Sequence, residues 1–192
     1  LDKIKVVYGG GSISLLDIGC SNGAFLKRAK EQEFIPVVGT EFDSRVVDLA
    51  YEVSGCTIYT GLIEDISEKI YNDCMGGFDV VTAHDVIEHA YDPIPFLYAA
   101  TSLVNKNGLL VMEYPTRESF EAKAEGYDWR HYLYREHLFL FSLEDIRFLL
   151  DKFGFVIQAI DKPIPAKDTI YAVRKEDFNG NIICNSTLPI FE

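Results

Sequence analysis

The amino-acid sequence predicts an α/β fold in which helices cover both faces of a parallel sheet. Short β-like runs alternate with helical patterns along most of the chain, which is typical of strand–helix–strand units. The 192 residues fit one domain, residues 1–192, and 48% of them are apolar. A chain of this size buries roughly 70% of the surface that it exposes when unfolded. The composition therefore excludes intrinsic disorder as the main state.

The first half of the chain predicts strands and helices in alternation. We predict strands over residues 15–18, 35–40, 57–60, 78–83 and 109–114. Apolar residues at helical spacing predict helices after the first, second and fourth of these strands: Phe25, Leu26 and Ala29; Val46, Val47, Leu49, Ala50 and Val53; Phe96, Leu97, Ala100 and Leu103. Asp92 and Pro93 supply an N-cap and a first-turn proline for the third helix, and Asn107-Gly108 is expected to end it.

The second half of the chain has a different character. Residues 114–141 are rich in aromatic and charged side chains and lack a clean period, so we interpret them as an insert over the sheet. Ser142 is a typical N-cap for a helix with Ile146 and Leu150 on its apolar face, and Gly154 ends that helix. Residues 155–160 and 169–174 predict a closing strand pair. The last dozen residues are expected to be peripheral.

Charge and cysteine content narrow the class of protein. With 30 acidic and 18 basic side chains the formal net charge is −12, so we expect no nucleic-acid partner without a local basic patch. The four cysteines are scattered, which favours reduced thiols over a disulfide framework or a zinc site. No apolar run approaches the roughly 20 residues that span a bilayer, and the N-terminal residues do not show the pattern of a charged segment followed by an apolar h-region. We therefore expect a cytoplasmic protein.

A glycine turn follows the first predicted strand. Residues 15–23, LLDIGCSNG, run from a strand into a turn and then a helix, and such a turn lets backbone amides approach a ligand closely. It is not the dinucleotide motif G-x-G-x-x-G, because Asp17 stands where the first glycine would be. That carboxylate would repel a pyrophosphate but suits an ammonium group. The turn is also compatible with a plain tight connection.

Glu41 ends the second predicted strand, about 20 residues after the glycine turn. A carboxylate at this position can accept hydrogen bonds from both hydroxyls of a ribose. Glu41 is also compatible with a solvated helix cap. Considered together, Asp17 and Glu41 suggest a ligand that joins a nucleoside to an amino acid. The order of these two acids along the chain therefore predicts the two ends of one binding site.

Several motifs follow one another in a fixed order: Asp17-x-Gly19-x-x-Asn22-Gly23, Glu41, Phe78-Asp79-Val80-Val81 and Asn107-Gly108-Leu109. In this order they resemble the class I S-adenosylmethionine-dependent methyltransferases. The resemblance implies a doubly wound, mostly parallel seven-stranded sheet, the Rossmann-like methyltransferase fold, with its last strand antiparallel. It also implies S-adenosylmethionine as the cofactor and methyl transfer as the activity.

The resemblance implies positions for the cofactor. The methionine end is expected near Asp17 and His84, the ribose on Glu41, and the adenine between Phe42 and the Ile63-Glu64 segment. The implied cofactor-binding residues are Asp17, Gly19, Cys20, Asn22, Gly23, Glu41, Phe42, Ile63, Glu64 and His84.

Acids and histidines follow the fourth predicted strand in the run His84-Asp85-Val86-Ile87-Glu88-His89. If this run opens a helix, Asp85, Glu88 and His89 share one face, and the insert could bring His137 to the same place. Two carboxylates and two imidazoles can hold a divalent ion such as Mg, Mn or Zn. Alternatively, Glu88 and His89 bond to the backbone and brace the pocket.

The run is similar to two methyltransferase branches, the O-methyltransferases of ubiquinone synthesis and the small-RNA terminal 2′-O-methyltransferases. In both, an acid-x-x-Glu-His motif is linked to a metal, and in the second a later histidine completes it. The implied metal ligands are Asp85, Glu88, His89 and His137, with Asp85 in place of the usual glutamate. The shorter Asp85 side chain weakens the case for the metal.

A hydroxyl acceptor must lose its proton, and His89 or His137, with Glu88 beside them, are the candidate catalytic residues. We therefore predict O-methylation of a small-molecule or sugar-bearing metabolite. Aromatic residues of the insert are expected to line the acceptor, or else to form a satellite hydrophobic cluster: Tyr127, Trp129 and His131.

Three other functions stay open at this point. An RNA-terminal 2′-O-methyltransferase is disfavoured by the net charge of −12. A nicotinamide-dependent oxidoreductase is disfavoured by Asp17 in the glycine turn. A subunit that binds S-adenosylmethionine without catalysis would carry the same cofactor motifs. The sequence does not indicate the oligomeric state.

Overall fold

The computed structural model describes residues 1–8 and 11–175, in which strands and helices alternate. The strands are β1 (Leu15–Ile18), β2 (Val37–Glu41), β3 (Thr57–Thr60), β4 (Phe78–His84), β5 (Val104–Pro115), β6 (Phe155–Asp161) and β7 (Lys167–Arg174). The helices are α1 (Asp2–Tyr8), α2 (Ala24–Glu31), α3 (Ser44–Ser54), α4 (Ile63–Asp73), α5 (Pro93–Ser102), α6 (Phe120–Glu125), α7 (Arg130–Leu133) and α8 (Leu143–Lys152). Short 3-10 turns occupy Ile87–His89 and Gly126–Asp128.

The strands form one seven-stranded sheet in the order β3-β2-β1-β4-β5-β7-β6. Neighbouring strands from β3 to β5 pair in parallel, whereas β7 is antiparallel to both β5 and β6. The α/β class, the mostly parallel sheet and the antiparallel last strand are thus confirmed. Because β1 pairs with both β2 and β4, the strand order reverses there, and ligands of doubly wound folds bind at such a switch point.

Successive residues of a strand point to opposite sides of the sheet, so each strand offers apolar side chains to helices on both faces. Leu16 and Ile18 of β1 belong to one apolar core, together with buried side chains of α4, α5 and α8. Leu15 belongs to the other core, together with buried side chains of α1, α2 and α3. The two cores confirm the doubly wound arrangement.

The predicted helix starts at Asp92 and Ser142 are confirmed. The Asp92 carboxylate accepts a hydrogen bond from the Ile94 amide at 2.9 Å, and Pro93 is the first residue of α5. Ser142 accepts from the Asp145 amide, while the Asp145 carboxylate accepts from the Ser142 amide, so α8 begins with a capping box. Local side-chain chemistry therefore sets both boundaries.

The predicted end of α5 is wrong. The helix ends at Ser102 and β5 begins at Val104, so Asn107-Gly108 lies within the strand. The pairing of β4 with β5 shifts register between Phe78 and Val80, and residues 105–108 fill this irregular stretch. A Cβ on Gly108 would lie 2.9 Å from the Asp79 carbonyl oxygen, which explains the glycine as a close contact between strands.

The sequence prediction omits four helices: α6 and α7, which lie in the segment interpreted as an insert, and α1 and α4. Helix α1 has only seven residues, and its one buried side chain is that of Ile4. Helix α4 has eleven residues and buries Ile63 and Ile70, which are too few apolar positions to stand out between β3 and β4. Strand β2 also begins at Val37, two residues later than the predicted start of residue 35.

The segment from residue 116 to 141 contains α6, α7 and the turn between them, and both of its ends are fixed to the sheet region. The Thr116 amide donates to the Ala166 carbonyl at 2.9 Å, and the Arg117 amide donates to the Phe141 carbonyl at 3.1 Å. Trp129 is fully buried in a small apolar cluster with Ala122 and Ala166.

Of the helices in the described residues, none combines the length and apolar character that crossing a membrane requires. Cys20, Cys56 and Cys74 carry free thiols. Cys184 and the segment predicted to be peripheral, including residues 179–181, lie outside the described residues.

Leu150→Ala is expected to lower the free energy of unfolding by about 2–5 kcal/mol, because it deletes a fully buried side chain of α8. Leu49→Ala, the same change at a half-exposed position of α3, is expected to lower it by less than about 1 kcal/mol. Urea unfolding followed by circular dichroism measures both values. Equal losses in the two variants would contradict the described core.

Candidate active site

The glycine turn between β1 and α2 needs glycine at both of its ends. Gly19 has a φ of +72°, and a Cβ there would lie 2.7 Å from the Val86 Cγ2 atom. Gly23 has a φ of +77°, and a Cβ there would lie 2.5 Å from the Ala50 carbonyl oxygen. Between them, the Asn22 side chain accepts a hydrogen bond from the Ala24 amide at 3.1 Å. The turn is therefore packed closely between α3 and the loop after β4.

Asp17 is a buried carboxylate near the carboxyl end of β1, only 3% exposed. The Thr82 hydroxyl donates a hydrogen bond to its Oδ1 atom at 2.6 Å, and the His84 Nδ1 atom lies 3.5 Å from the same oxygen. Burial lowers the pKa of His84, but the hydrogen bond and charge of Asp17, followed by the charges of Glu113 and Asp85, raise that pKa overall. Asp17 and His84 therefore form an electrostatic pair on neighbouring strands.

Glu41 connects the glycine turn to the loop after β2. Its Oε2 atom accepts a hydrogen bond from the Ser21 amide at 2.9 Å, and its Oε1 atom accepts one from the Asp43 amide at 3.0 Å. The Gly61 amide donates to the Glu41 carbonyl oxygen at 3.0 Å, which brings the turn after β3 to the same edge. Each carboxylate oxygen keeps a lone pair for a further donor.

The other predicted cofactor-binding residues lie around these two acids. Cys20 is buried, and burial together with the charges of Asp17 and Glu41 raises the pKa of its thiol to about 12. Phe42 follows Glu41 with its ring exposed. Ile63 and Glu64 open α4, where Ile63 is buried and Glu64 is half-buried.

The run from His84 to His89 does not open a helix, so the condition for a shared helix face is not met. Asp85 has a φ of +55°, and a single 3-10 turn, Ile87–His89, follows it. The Asp85 amide donates to the Glu113 carbonyl at 2.9 Å, which continues the pairing of β4 with β5 beyond the strand end. Because the backbone stays attached to β5 and then turns sharply, Asp85, Glu88 and His89 do not share a helix face.

The Asp85 carboxylate pairs with Lys167 of β7, whose ammonium group also lies 3.3 Å from a Glu113 carboxylate oxygen. Burial lowers the pKa of Lys167, but Asp85 and then Glu113 raise that pKa overall, so the ammonium stays charged. Asp85 is thus engaged by Lys167, and it does not belong to the close group of ligand atoms that the other predicted metal ligands form. Sequence analysis missed Lys167, which is 82 positions away from Asp85 and carries no local signal.

Glu88, His89 and His137 come together: one ligand atom of each lies within 4.8 Å of the others. Glu88 is 1% exposed, its Oε2 atom has no hydrogen-bond partner among the described residues, and burial raises its pKa to about 8. The His89 Nδ1 atom lies 2.9 Å from the Glu136 carbonyl oxygen. Burial, followed by the proximity of His89, lowers the pKa of His137.

An open cleft of about 390 Å³ lies beside this trio. Its walls come from the loop after β4, the start of β7 and the segment 116–141, and the residues that line it are Asp85, Glu88, His89, Arg130, His131, Tyr134, Glu136, His137 and Lys167. The Glu88 carbonyl oxygen accepts hydrogen bonds from the Leu138 and Phe139 amides at 2.8 and 3.2 Å, which hold the segment over the cleft.

The aromatic residues predicted to line the acceptor have three different environments. Trp129 does not line the cleft but is buried in the cluster with Ala122 and Ala166, as the alternative interpretation expects. Tyr127 is 93% exposed. His131 lines the cleft, and burial, followed by the charge of Arg130, lowers its pKa to about 4. Arg130 and Tyr134 also line the cleft and were missed, because their positions depend on α7 and on the loop that follows it.

Comparison with known proteins gives a consistent result. A family model described as a methyltransferase domain matches residues 7–160. The chain is 32% identical over 125 residues to a ubiquinone biosynthesis O-methyltransferase of Cereibacter sphaeroides, a match that covers 61% of this chain and 48% of that protein. A protein of the same name from a Caulobacter species is 26% identical over 100 residues, covering 52% and 40%. The chain thus spans about half the length or less of these relatives.

Solved structures are similar in fold. The magnesium protoporphyrin IX methyltransferase from Synechocystis with bound SAH superposes with a TM-score of 0.67 at 19% identity, covering 89% of this chain and 78% of that one. A SAM-dependent methyltransferase from Archaeoglobus fulgidus gives a TM-score of 0.69 at 18% identity, covering 88% and 90%.

Asp17→Asn is expected to lower the pKa of His84. The amide carries no charge, so the largest contribution that raises the pKa of His84 is lost, while burial still disfavours the protonated imidazole. NMR titration of the His84 ring protons measures the change, and Asp48→Asn on the exposed side of α3 is the matched control. An unchanged His84 pKa in Asp17→Asn would contradict the described pairing.

Proposed function

The chain belongs to the methyltransferase domain family, and on that premise we propose that it transfers the methyl group of S-adenosylmethionine to a hydroxyl of a small-molecule or sugar-bearing metabolite. The observation that carries the proposal is the pair of buried carboxylates, Asp17 and Glu41, on neighbouring parallel strands and on either side of a glycine turn. Both lie at the switch point of the sheet, where ligands of this fold class bind.

Free hydrogen-bonding capacity at this edge supports S-adenosylmethionine as the ligand. The Asp17 contacts with Thr82 and His84 are both at Oδ1, which leaves Oδ2 for the ammonium of the methionine end. Each Glu41 carboxylate oxygen accepts one hydrogen bond from a backbone amide and retains a lone pair for a ribose hydroxyl. The exposed ring of Phe42 suits stacking by an adenine, with Ile63 and Glu64 on its other side.

The bound cofactor supplies a methyl group that its sulfonium already activates. The chain itself has to orient the acceptor oxygen, exclude water and take the hydroxyl proton. His89 is the favoured base: its Nδ1–H donates to the Glu136 carbonyl, which leaves Nε2 as a proton acceptor near the cleft. His137 is the second candidate, and Glu88, with a pKa of about 8, holds its own proton near neutral pH.

As the alternative to a histidine base, we propose that Glu88, His89 and His137 hold a divalent cation of the Mg, Mn or Zn type. In that case the His89 Nε2 atom is a metal ligand and not the proton acceptor. The unpartnered Glu88 Oε2 atom supports this, because a buried carboxylate and two imidazoles form a common ligand set for such ions. A cation at this trio would acidify the acceptor hydroxyl. Asp85 is not included, since its carboxylate is already paired with Lys167.

An RNA-terminal methyltransferase is the second candidate function, favoured only by the acid and histidine run. The net charge of −12 opposes it. Filter binding of a short RNA across salt concentrations separates the two, because a phosphate-binding enzyme loses affinity steeply as salt increases. Binding of S-adenosylhomocysteine without methyl transfer to any acceptor would favour a non-catalytic subunit. The cytoplasmic location stays a prediction.

Glu41→Gln and Asp17→Asn are each expected to weaken the binding of S-adenosylhomocysteine by about 10- to 100-fold, the effect of losing a charged hydrogen bond of about 1.5–3 kcal/mol. Isothermal titration calorimetry measures the dissociation constants, with Glu52→Gln on the exposed part of α3 as control. Unchanged affinity in both variants would refute the cofactor site.

Glu88→Gln is expected to weaken the binding of Mn²⁺ or Zn²⁺ at least about tenfold, since it removes the one carboxylate of the trio. Asp85→Asn is expected to leave that affinity unchanged, because Asp85 is engaged with Lys167. Calorimetry with each metal salt tests both, and chelation by EDTA is expected to lower turnover. Full turnover in excess EDTA, with no metal found by elemental analysis, would refute the proposed metal site.

A further inference from the structure

One imidazole in the cleft is used neither by the metal trio nor by the cofactor edge. His131 on α7 is 5% exposed, and it lines the cleft. Its ring stacks on His137 with centroids 5.2 Å apart and an interplanar angle of 16°, and it lies 4.7 Å from the Trp129 ring. Contacts with two neighbouring rings restrict the orientation of the His131 ring.

The neighbouring guanidinium sets the tautomer of His131. The Arg130 Nε–H group donates a hydrogen bond to the His131 Nε2 atom at 3.3 Å. Because a guanidinium stays protonated in proteins, Nε2 has to be the acceptor in this bond, and the ring proton is therefore on Nδ1. This argument depends on which group donates, and it holds at any pH at which the imidazole is neutral.

The His131 Nδ1–H group is a buried donor with no partner among the described residues. An unpaired donor in a buried position is costly, and a cleft that contains one is therefore suited to a ligand that supplies the missing acceptor. With Nε2 engaged by Arg130 and Nδ1 protonated, neither nitrogen is free to coordinate a metal or to accept a proton. His131 is thus chemically different from His89 and His137.

We propose that His131 is an acceptor-binding residue, which donates Nδ1–H to an oxygen of the methyl acceptor that carries no proton, such as a carbonyl or carboxylate oxygen. The inference rests on the proposed methyl transfer. It narrows the substrate class to hydroxyl compounds with a second, hydrogen-bond-accepting oxygen. Arg130 is a positioning residue, because it acts by fixing the His131 tautomer.

The charges in the cleft are compatible with both kinds of oxygen. Asp85 and Glu136 are opposed by Arg130 and Lys167, so no single sign of charge dominates the lining. A carbonyl oxygen and a carboxylate oxygen both offer a lone pair to the His131 Nδ1–H group. Binding measurements with one carbonyl probe and one carboxylate probe distinguish the two kinds of acceptor.

The test compares two phenols of similar shape in the presence of saturating S-adenosylhomocysteine. The probe 3-hydroxyacetophenone has a carbonyl where 3-ethylphenol has a methylene group, and 3-hydroxybenzoate provides the anionic arm. The wild-type chain is expected to bind the carbonyl probe at least about tenfold more tightly than 3-ethylphenol, the effect of one buried hydrogen bond. Calorimetry or ligand-observed NMR gives the dissociation constants.

Two substitutions at His131 distinguish the effect of the N–H donor from the effect of the ring itself. His131→Leu removes the N–H and is expected to abolish the preference for the carbonyl probe, whereas His131→Asn keeps an N–H near the position of Nδ1 and is expected to restore much of it. Tyr127→Leu, at an exposed position of the same segment, is the control and is expected to retain the preference. A preference that survives in His131→Leu would overturn the inference.

A measurement on the unmodified chain tests the tautomer without any substitution. NMR of the His131 ring nitrogens is expected to show protonation at Nδ1, and protonation at Nε2 would overturn the inference. Failure of the wild-type chain to bind S-adenosylhomocysteine would instead refute the proposed function. If the chain binds S-adenosylhomocysteine but binds the two neutral probes with equal affinity, only the proposed role of His131 is refuted.

Discussion

The parallel pairing of β1 with both β2 and β4 is the constraint on which both halves of the site depend. It brings the carboxyl ends of three strands to one edge, so that Asp17, Glu41 and His84 lie around the glycine turn although up to 67 positions separate them along the chain. Because Gly19 and Gly23 have no Cβ atom, the turn fits closely against Val86 and Ala50. Each acid can then accept hydrogen bonds from backbone or hydroxyl groups and still keep a lone pair for a further donor.

Local signals made much of the fold predictable. The bounds of β1 and β3 agree with the sequence prediction, and the caps at Asp92 and Ser142 mark helix starts, because strand periodicity and capping depend on residues close together in the chain. The resemblance to a known family supplied the strand number. The failures concern Asp85 and Asn107-Gly108, whose conformations depend on contacts with distant strands.

The cleft was only partly predictable for the same reason. Glu88, His89 and His137 meet as the sequence suggested, but the pairing of Asp85 with Lys167 removes one expected member. Lys167, Arg130 and Tyr134 reach the cleft through the register of β7 and the path of the segment after β5, and neither feature leaves a short motif. The resulting lining balances its charges, whereas the whole chain carries −12 and repels polyanions at long range.

The attachment of the segment from residue 116 to 141 relies on main-chain groups. The Thr116 amide binds the Ala166 carbonyl oxygen at its start, the Arg117 amide joins its two ends by binding the Phe141 carbonyl oxygen, and the Leu138 and Phe139 amides bind the Glu88 carbonyl oxygen near its end. Almost any amino acid offers these amides, so side chains between the anchors that lie outside the Trp129 cluster can change while these bonds stay. The proposed acceptor cover is in this sense exchangeable: evolution or protein engineering can change its side chains while the proposed cofactor-binding edge keeps its sequence.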